Sequence, residues 1–168
     1  MKKTVKVYFD FLCPYCYQGI QDLISLLPEY PDIHVDWYPC EAHPRPERMS
    51  VYSDIACEAF LYLKGHRGDL IPFIQNVYKA VFEDNLRIDD KELLVKLAEN
   101  CAIETNRLKS SLIRRDYKQD VMAINSDIWD VYCAEAVPSY YNRNNILESK
   151  GGQMIDKSSL KNFLAHLN

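Results

Sequence analysis

Apolar and polar positions alternate at the start of the chain, recur at helical spacing through its middle, and alternate again near its end. Val5, Val7 and Phe9 alternate with Lys6, Tyr8 and Asp10, the period-two pattern of a strand. From Pro14 onward Cys16, Ile20, Leu23, Ile24 and Leu27 share one face of a helix, which Pro28 and Pro31 close. Ile33, Val35 and Trp37 then alternate with His34, Asp36 and Tyr38, predicting a second strand. From about residue 50 to 135 the period is helical throughout. Ile55, Ala59, Phe60 and Leu63 share a face, then Leu70, Phe73, Val77 and Val81, then Leu93, Leu94, Leu97 and Cys101. Leu108 and Leu112 predict a short fourth helix. A longer one follows, with Val121, Ile124, Ile128 and Val131 or Tyr132 turned inward. Strand signals return at Ser139-Tyr140-Tyr141 and Ile146-Leu147-Glu148, joined by a turn over 142–145 and ended by Gly151-Gly152. Leu160, Phe163, Leu164 and Leu167 line a last helix.

This order, βαβ, a helical block, then ββα, predicts an α/β fold. The two strands of the first unit should lie parallel with a right-handed crossover, and the helices should cap the sheet. The expected division is residues 1–48 with 136–168 as one α/β domain and 49–135 as an all-helical insertion. Composition agrees: 48% of the 168 residues are apolar, enough for a core. The net charge of −4 argues against a nucleic-acid partner. No stretch approaches the ~20 apolar residues of a membrane span, so no membrane partner is expected. Met1-Lys2-Lys3 resembles the start of a signal peptide, but Lys6 and Asp10 put charge into the residues after it, where such a peptide is apolar. The segment reads as a strand of the mature protein, and the cytoplasm is the expected compartment, where thiols are mostly reduced.

Six cysteines change the picture. Cys57, Cys101 and Cys133 lie in apolar, helix-like surroundings and read as small buried hydrophobes. Cys13 and Cys16 are closely spaced, and in such a chain a C-x-x-C is more often redox-active or metal-binding than part of a disulfide framework. Residues three apart on a helix have Cβ atoms ~5–6 Å apart, within adjustment of disulfide range. Pro14 suits the first helical position, which needs no N–H. Cys13 then stands at the helix start, where free N–H groups and the dipole favour a thiolate, making it the attacking sulfur. Cys16, one turn inside, would resolve the mixed disulfide. Tyr15 between them carries no positive charge, so the helix terminus is the main stabiliser. The potential should then be intermediate, roughly −160 to −240 mV, between references near −120 and −270 mV.

Asp10-Phe11-Leu12-Cys13-Pro14-Tyr15-Cys16-Tyr17-Gln18-Gly19 resembles the active-site opening of the DsbA-like thioredoxin-fold family, with most similarity to its cytoplasmic FrnE-type members. Trp37-Tyr38-Pro39-Cys40-Glu41-Ala42-His43-Pro44 resembles their segment after the second strand, and Val137-Pro138-Ser139-Tyr140 their V-P-T-F. The resemblance implies a thioredoxin fold (βαβ–ββα) with an all-helical insertion between the second and third core strands. It implies a thiol–disulfide oxidoreductase with Cys13 and Cys16 catalytic, and Pro14, Tyr15, Val137 and Pro138 against the substrate. It also implies a cis Val137–Pro138 bond facing the cysteine pair. Protein or small-molecule thiols and disulfides are the expected partners; no cofactor is expected beyond glutathione as a co-substrate. Two departures stand out. Cys40 replaces an aromatic residue, and Val7 occupies the strand position where many such enzymes bury a proton-transferring acid.

Two other functions fit parts of the pattern. Kappa-class glutathione transferases and hydroxychromene-carboxylate isomerases share the layout, but typically carry serine at the Cys13 position. A structural zinc site could draw on Cys13, Cys16, Cys40 and His43, although Pro14 and the helix favour redox geometry and no metal is expected. His34, His66 and His166 read as surface histidines. Glu41 and His43 should lie near the site, more simply as surface loop residues, and Cys40 should end beside the active-site helix.

Overall fold

A computed structural model describes residues 2–143 and 145–167. β1 (Lys3–Phe9) leads into α1 (Pro14–Leu26), a 3₁₀ turn (Leu27–Glu29) and β2 (Ile33–Pro39). Five helices follow: α2 (Asp54–Gly65), α3 (Leu70–Phe82), α4 (Lys91–Leu97), α5 (Thr105–Arg114) and α6 (Lys118–Ser126). A π-helical turn (Asp127–Val131) precedes β3 (Ser139–Asn142), β4 (Asn145–Glu148) and α7 (Lys157–Ala165). Residue 144, in the expected turn, lies outside the described residues.

The sheet order is β2-β1-β3-β4. β1 and β2 are parallel, with Val7 opposite Trp37, and β3 is antiparallel to both β1 and β4, with Val7 opposite Tyr140. This is the expected thioredoxin-type sheet, and the helical segment lies between β2 and β3 as predicted. Val5, Val7, Phe9, Trp37 and Tyr140 form its inner face, packed with Ile20 and Leu23 of α1 and Leu160 and Leu164 of α7 in one core. Burying each such side chain contributes about 1.5–3 kcal/mol, which is why one register dominates.

The opposite face departs from simple alternation. Tyr8, in a polar phase of β1, is fully buried. Its ring stacks on Tyr38 at 5.0 Å and meets Tyr141 edge-on, while its hydroxyl donates to Asp127 of the π turn. The end of the helical segment therefore covers a face that period-two reasoning leaves to solvent.

The π turn also corrects the long final helix of the insertion. Each π-helical hydrogen bond spans one more residue than an α-helical one, so side chains beyond it rotate off the inward face. Val121 and Ile128 are buried as expected, but Val131 is 71% exposed and Tyr132 lies half over Tyr8 and Tyr141. Cys133, expected in the core, follows in the left-handed region (φ 52) and is exposed. Cys57 and Cys101 are buried, and His34, His66 and His166 are exposed, as expected.

Candidate active site

β1 ends at Phe9, and Asp10, Phe11 and Leu12 turn the chain into α1. Cys13 is the N-cap of that helix, with extended backbone (φ −88, ψ 120), and Pro14 follows inside the first turn. The Cys13 sulfur accepts the N–H of Cys16 at 3.4 Å, the role a serine or aspartate oxygen plays at other helix starts. A hydrogen bond from the Cys16 thiol, together with the N–H groups of Cys16 and Tyr15, brings the Cys13 pKa down from 9.0 to about 7 against the opposing effect of burial. Cys16 is fully buried, and burial pushes its thiol up. The pair is thus split as the sequence predicts: one accessible sulfur that ionises near neutrality and one hidden thiol.

The loop before β3 closes over the pair. The Val137–Pro138 peptide bond is cis, as is Arg45–Pro46. The Cys13 thiol donates to the Val137 carbonyl at 3.6 Å. Pro138 rests on α1 at Gly19, where a Cβ would stand 2.9 Å from the proline Cγ and 2.9 Å from the Tyr140 hydroxyl oxygen. Pro14 and Tyr15 face outward, and the Tyr15 hydroxyl donates to the Gly152 carbonyl at 2.9 Å. A cleft of about 220 Å³ opens beside Cys13, walled largely by Leu12, Pro14, Ala42, Met49, Val51 and Tyr52. The structure therefore brings Cys13, Cys16, Val137 and Pro138 together at one end of the sheet.

Asp10 is legible in the sequence only as part of a motif. It is buried, its N–H donates to the Cys16 sulfur at 3.4 Å, and its carboxylate accepts the N–H of Leu12 at 2.9 Å and of Ala42 at 2.7 Å. Burial raises its pKa, and those N–H groups oppose the shift. A buried acid thus stands three residues after Val7, with its backbone N–H in contact with the Cys16 sulfur and its carboxylate on the N–H groups of Leu12 and Ala42. An aspartate between two phenylalanines at the end of a core strand is the available signal.

Glu41 corrects another expectation. It is 6% exposed and no surface residue. Asn125 of α6 accepts its N–H at 2.8 Å and donates to its carboxylate at 2.9 Å, while the Trp129 indole donates to its carbonyl. The packing of α6 on this loop, a contact distant in sequence, draws Glu41 in. His43 turns outward to Glu47 at 2.9 Å. Cys40 is buried, extends the β1–β2 pairing through its N–H to Phe9, and accepts from the Cys57 thiol through its carbonyl. All six cysteines are free thiols. Cys13, Cys16, Cys40 and His43 do not converge: among the described residues no three His, Cys, Asp or Glu side chains are arranged to hold a metal ion. Among those residues, too, no helix is long and apolar enough to cross a membrane.

Comparison with known proteins agrees with this geometry. Residues 4–156 match the family model of the DSBA-like thioredoxin domain. YwbO, an uncharacterized protein of Bacillus subtilis (strain 168), is 23% identical over 95% of this chain and 96% of its own. Among solved structures, a probable DsbA oxidoreductase from Streptomyces coelicolor superposes with a TM-score of 0.78 at 15% identity, covering 98% of this chain and 88% of the other. BdbD from Bacillus subtilis, in its oxidised form, gives 0.75 at 16% identity over 96% and 85%. With the helix-capping C-x-x-C and the cis-proline loop facing it, the match over nearly the whole chain makes this protein a member of the DsbA-like thioredoxin-domain family.

Proposed function

We propose that the chain is a thiol–disulfide oxidoreductase that exchanges disulfides through Cys13 and Cys16. The observation that carries this is the split between the two thiols, one half-exposed with a pKa of about 7 and one buried with a raised pKa. The Cys13 thiolate attacks one sulfur of a substrate disulfide, forming a mixed disulfide and releasing a thiolate that takes up a proton. The Cys16 thiol then loses its proton to the Asp10 carboxylate, and its sulfur attacks Cys13. The second substrate thiol is released and the enzyme is left oxidised. A thiol reductant, for which glutathione is the proposed co-substrate, returns it to the dithiol. The Val137 carbonyl and the apolar cleft beside Cys13 suit an extended chain laid across the site, with Pro14 and Tyr15 on its rim.

Stabilisation of the Cys13 thiolate comes from hydrogen bonds at a helix start, with no cation in contact among the described residues. An intermediate potential, and a balance toward reduction or isomerisation in a reducing environment, therefore remain the proposal. The test is to trap the intermediate. A Cys16→Ala variant incubated with a disulfide peptide should accumulate a mixed disulfide at Cys13, resolved by added dithiol, whereas Cys13→Ala should form none. Adducts at Cys40 or Cys57 instead would refute the assignment.

A further inference from the structure

We propose that His43 is the catalytic residue that gives a proton to the sulfur leaving the substrate disulfide. In the exchange proposed above, on which this rests, the first substrate thiolate departs beside Cys13 and needs a proton. His43 lines the same cleft of about 220 Å³ as Cys13. That cleft is smaller than the ~300–1,000 Å³ of a typical ligand site, so a sulfur released there stays in reach of its walls, directly or through one water. The preceding residue, Ala42, is anchored to the active-site turn, its N–H donating to the Asp10 carboxylate at 2.7 Å. The Trp129 indole fixes the same stretch through the Glu41 carbonyl at 2.9 Å. Burial raises the Asp10 pKa and a protonated His43 opposes it, so the ring stands in electrostatic reach of the turn that carries Cys13.

The ring is held as a proton donor needs to be. On its outer side Nδ1 meets Glu47 Oε1 at 2.9 Å. A carboxylate on one ring nitrogen fixes the orientation of the imidazole and leaves the other nitrogen to pass the proton. Among the described residues Nε2 makes no hydrogen bond. The His43 side chain is 56% exposed, so water reloads it after each exchange. The other polar side chains of the cleft are committed. The Tyr52 hydroxyl donates to the Glu47 carbonyl at 2.7 Å. Ser53 is buried and bonds to the Asp10 carboxylate, which also accepts the N–H groups of Leu12 and Ala42.

In the step, the Cys13 thiolate attacks one sulfur of the disulfide. The bond from Cys13 to that sulfur forms, and the sulfur–sulfur bond of the substrate breaks. The departing sulfur takes both electrons of the broken bond and the Nε2 proton of the imidazolium. A thiol and a neutral imidazole result, and the imidazole regains its proton from water. Such help counts most for poor leaving groups: an alkyl thiolate is strongly basic, whereas an aryl thiolate of low pKa leaves readily as the anion.

The test varies the leaving group while the nucleophile stays the same. A Cys16→Ala background confines the reaction to the first exchange. In it, the protein with His43 and its His43→Gln variant are each reacted with bis(hydroxyethyl) disulfide, with the aryl disulfide dithiobis(nitrobenzoate), and with iodoacetamide. Both disulfides are symmetric, so the choice of sulfur is fixed, and the iodide released from iodoacetamide takes no proton. His43→Gln should slow the hydroxyethyl reaction by about 10²-fold, the lower end of what a positioned acid contributes, and leave the other two rates unchanged. The hydroxyethyl reaction should also show a normal solvent deuterium isotope effect that the variant loses. Equal losses with all three reagents would mean that His43 acts through the Cys13 thiolate, and would overturn the proton transfer. Three unchanged rates overturn it as well. Alkylation of Cys13 with no exchange of either disulfide, in the protein that keeps His43, would sink the redox function itself, and the donor role with it.

Discussion

At the scale of the residue, three ionisable groups define the site. Cys13 is held near a pKa of 7 by hydrogen bonds from Cys16, while burial raises Cys16, Cys40 and Cys57. In the reduced protein, iodoacetamide should therefore label Cys13 first among the thiols of the site and the core, with a rate rising through a midpoint near pH 7. A midpoint near 9, or faster labelling of Cys16, would contradict the geometry; Cys133, which is exposed, is the internal reference for accessibility. Asp10 supplies the second prediction. Asp10→Asn cannot take a proton and keeps only one of the two oxygens that accept the N–H groups of Leu12 and Ala42. First-step adduct formation at Cys13 should persist, while resolution by Cys16 slows about 10²-fold, the lower end of general acid–base effects, and loses its pH dependence below neutrality. Rapid-quench separation of the two steps measures this. Equal slowing of both would make Asp10 a purely structural group.

At the scale of the element, α1 carries the site because its start and its inner face answer different demands. Cys13 and Pro14 cap and open it, and Cys16, Ile20, Leu23 and Leu26 bury one face. Gly19 lies on that face for want of room: Pro138 and Tyr140 leave no space for a Cβ. Gly19→Ala gains helix propensity yet must push the proline loop away. A net loss of about 1–3 kcal/mol is expected, the cost of overpacking a core, with a fall in Tm of roughly 2–4 °C per kcal/mol. The pKa of Cys13 should shift as the Val137 carbonyl moves. A stabilised variant with unchanged Cys13 reactivity would show that the contact yields freely. The helical segment is where periodicity misleads: one π turn after α6 puts Val131 into solvent, although its spacing fits an inward face, and Cys133, read as a small buried hydrophobe, is exposed.

At the scale of the whole molecule, the thiolate is linked to stability. The folded pKa of Cys13 is about 7 against an ordinary 9.0. A depressed folded value means stability that is fully present above 9 and lost as pH falls through 7. The reduced protein should therefore gain stability relative to its Cys13→Ser variant as pH rises from about 7 to 9, read from denaturant midpoints at fixed m-value. A flat difference across that window would remove the linkage.

The chain by itself determined the element order, the parallel βαβ start, the antiparallel return, and the C-P-Y-C capping α1. Each of these is a local property, written in periods of two and 3.6 and in the demands of proline and glycine on backbone. It also carried the expectation that Val137 and Pro138 meet Cys13, through motif resemblance rather than physics. Only the tertiary structure decided which segment covers which. Tyr8, Asp10 and Glu41 are polar positions in local pattern, yet each is buried by segments 32 to 119 residues away: the Asp10 carboxylate by the loop at Ala42, Glu41 by Asn125, Tyr8 by Asp127. Burial is a sum over neighbours distant in sequence, and no window along the chain contains them. The same packing that hides these acids raises the pKa values of Asp10 and Glu41, so local pattern left to solvent two carboxyls that the fold buries and perturbs.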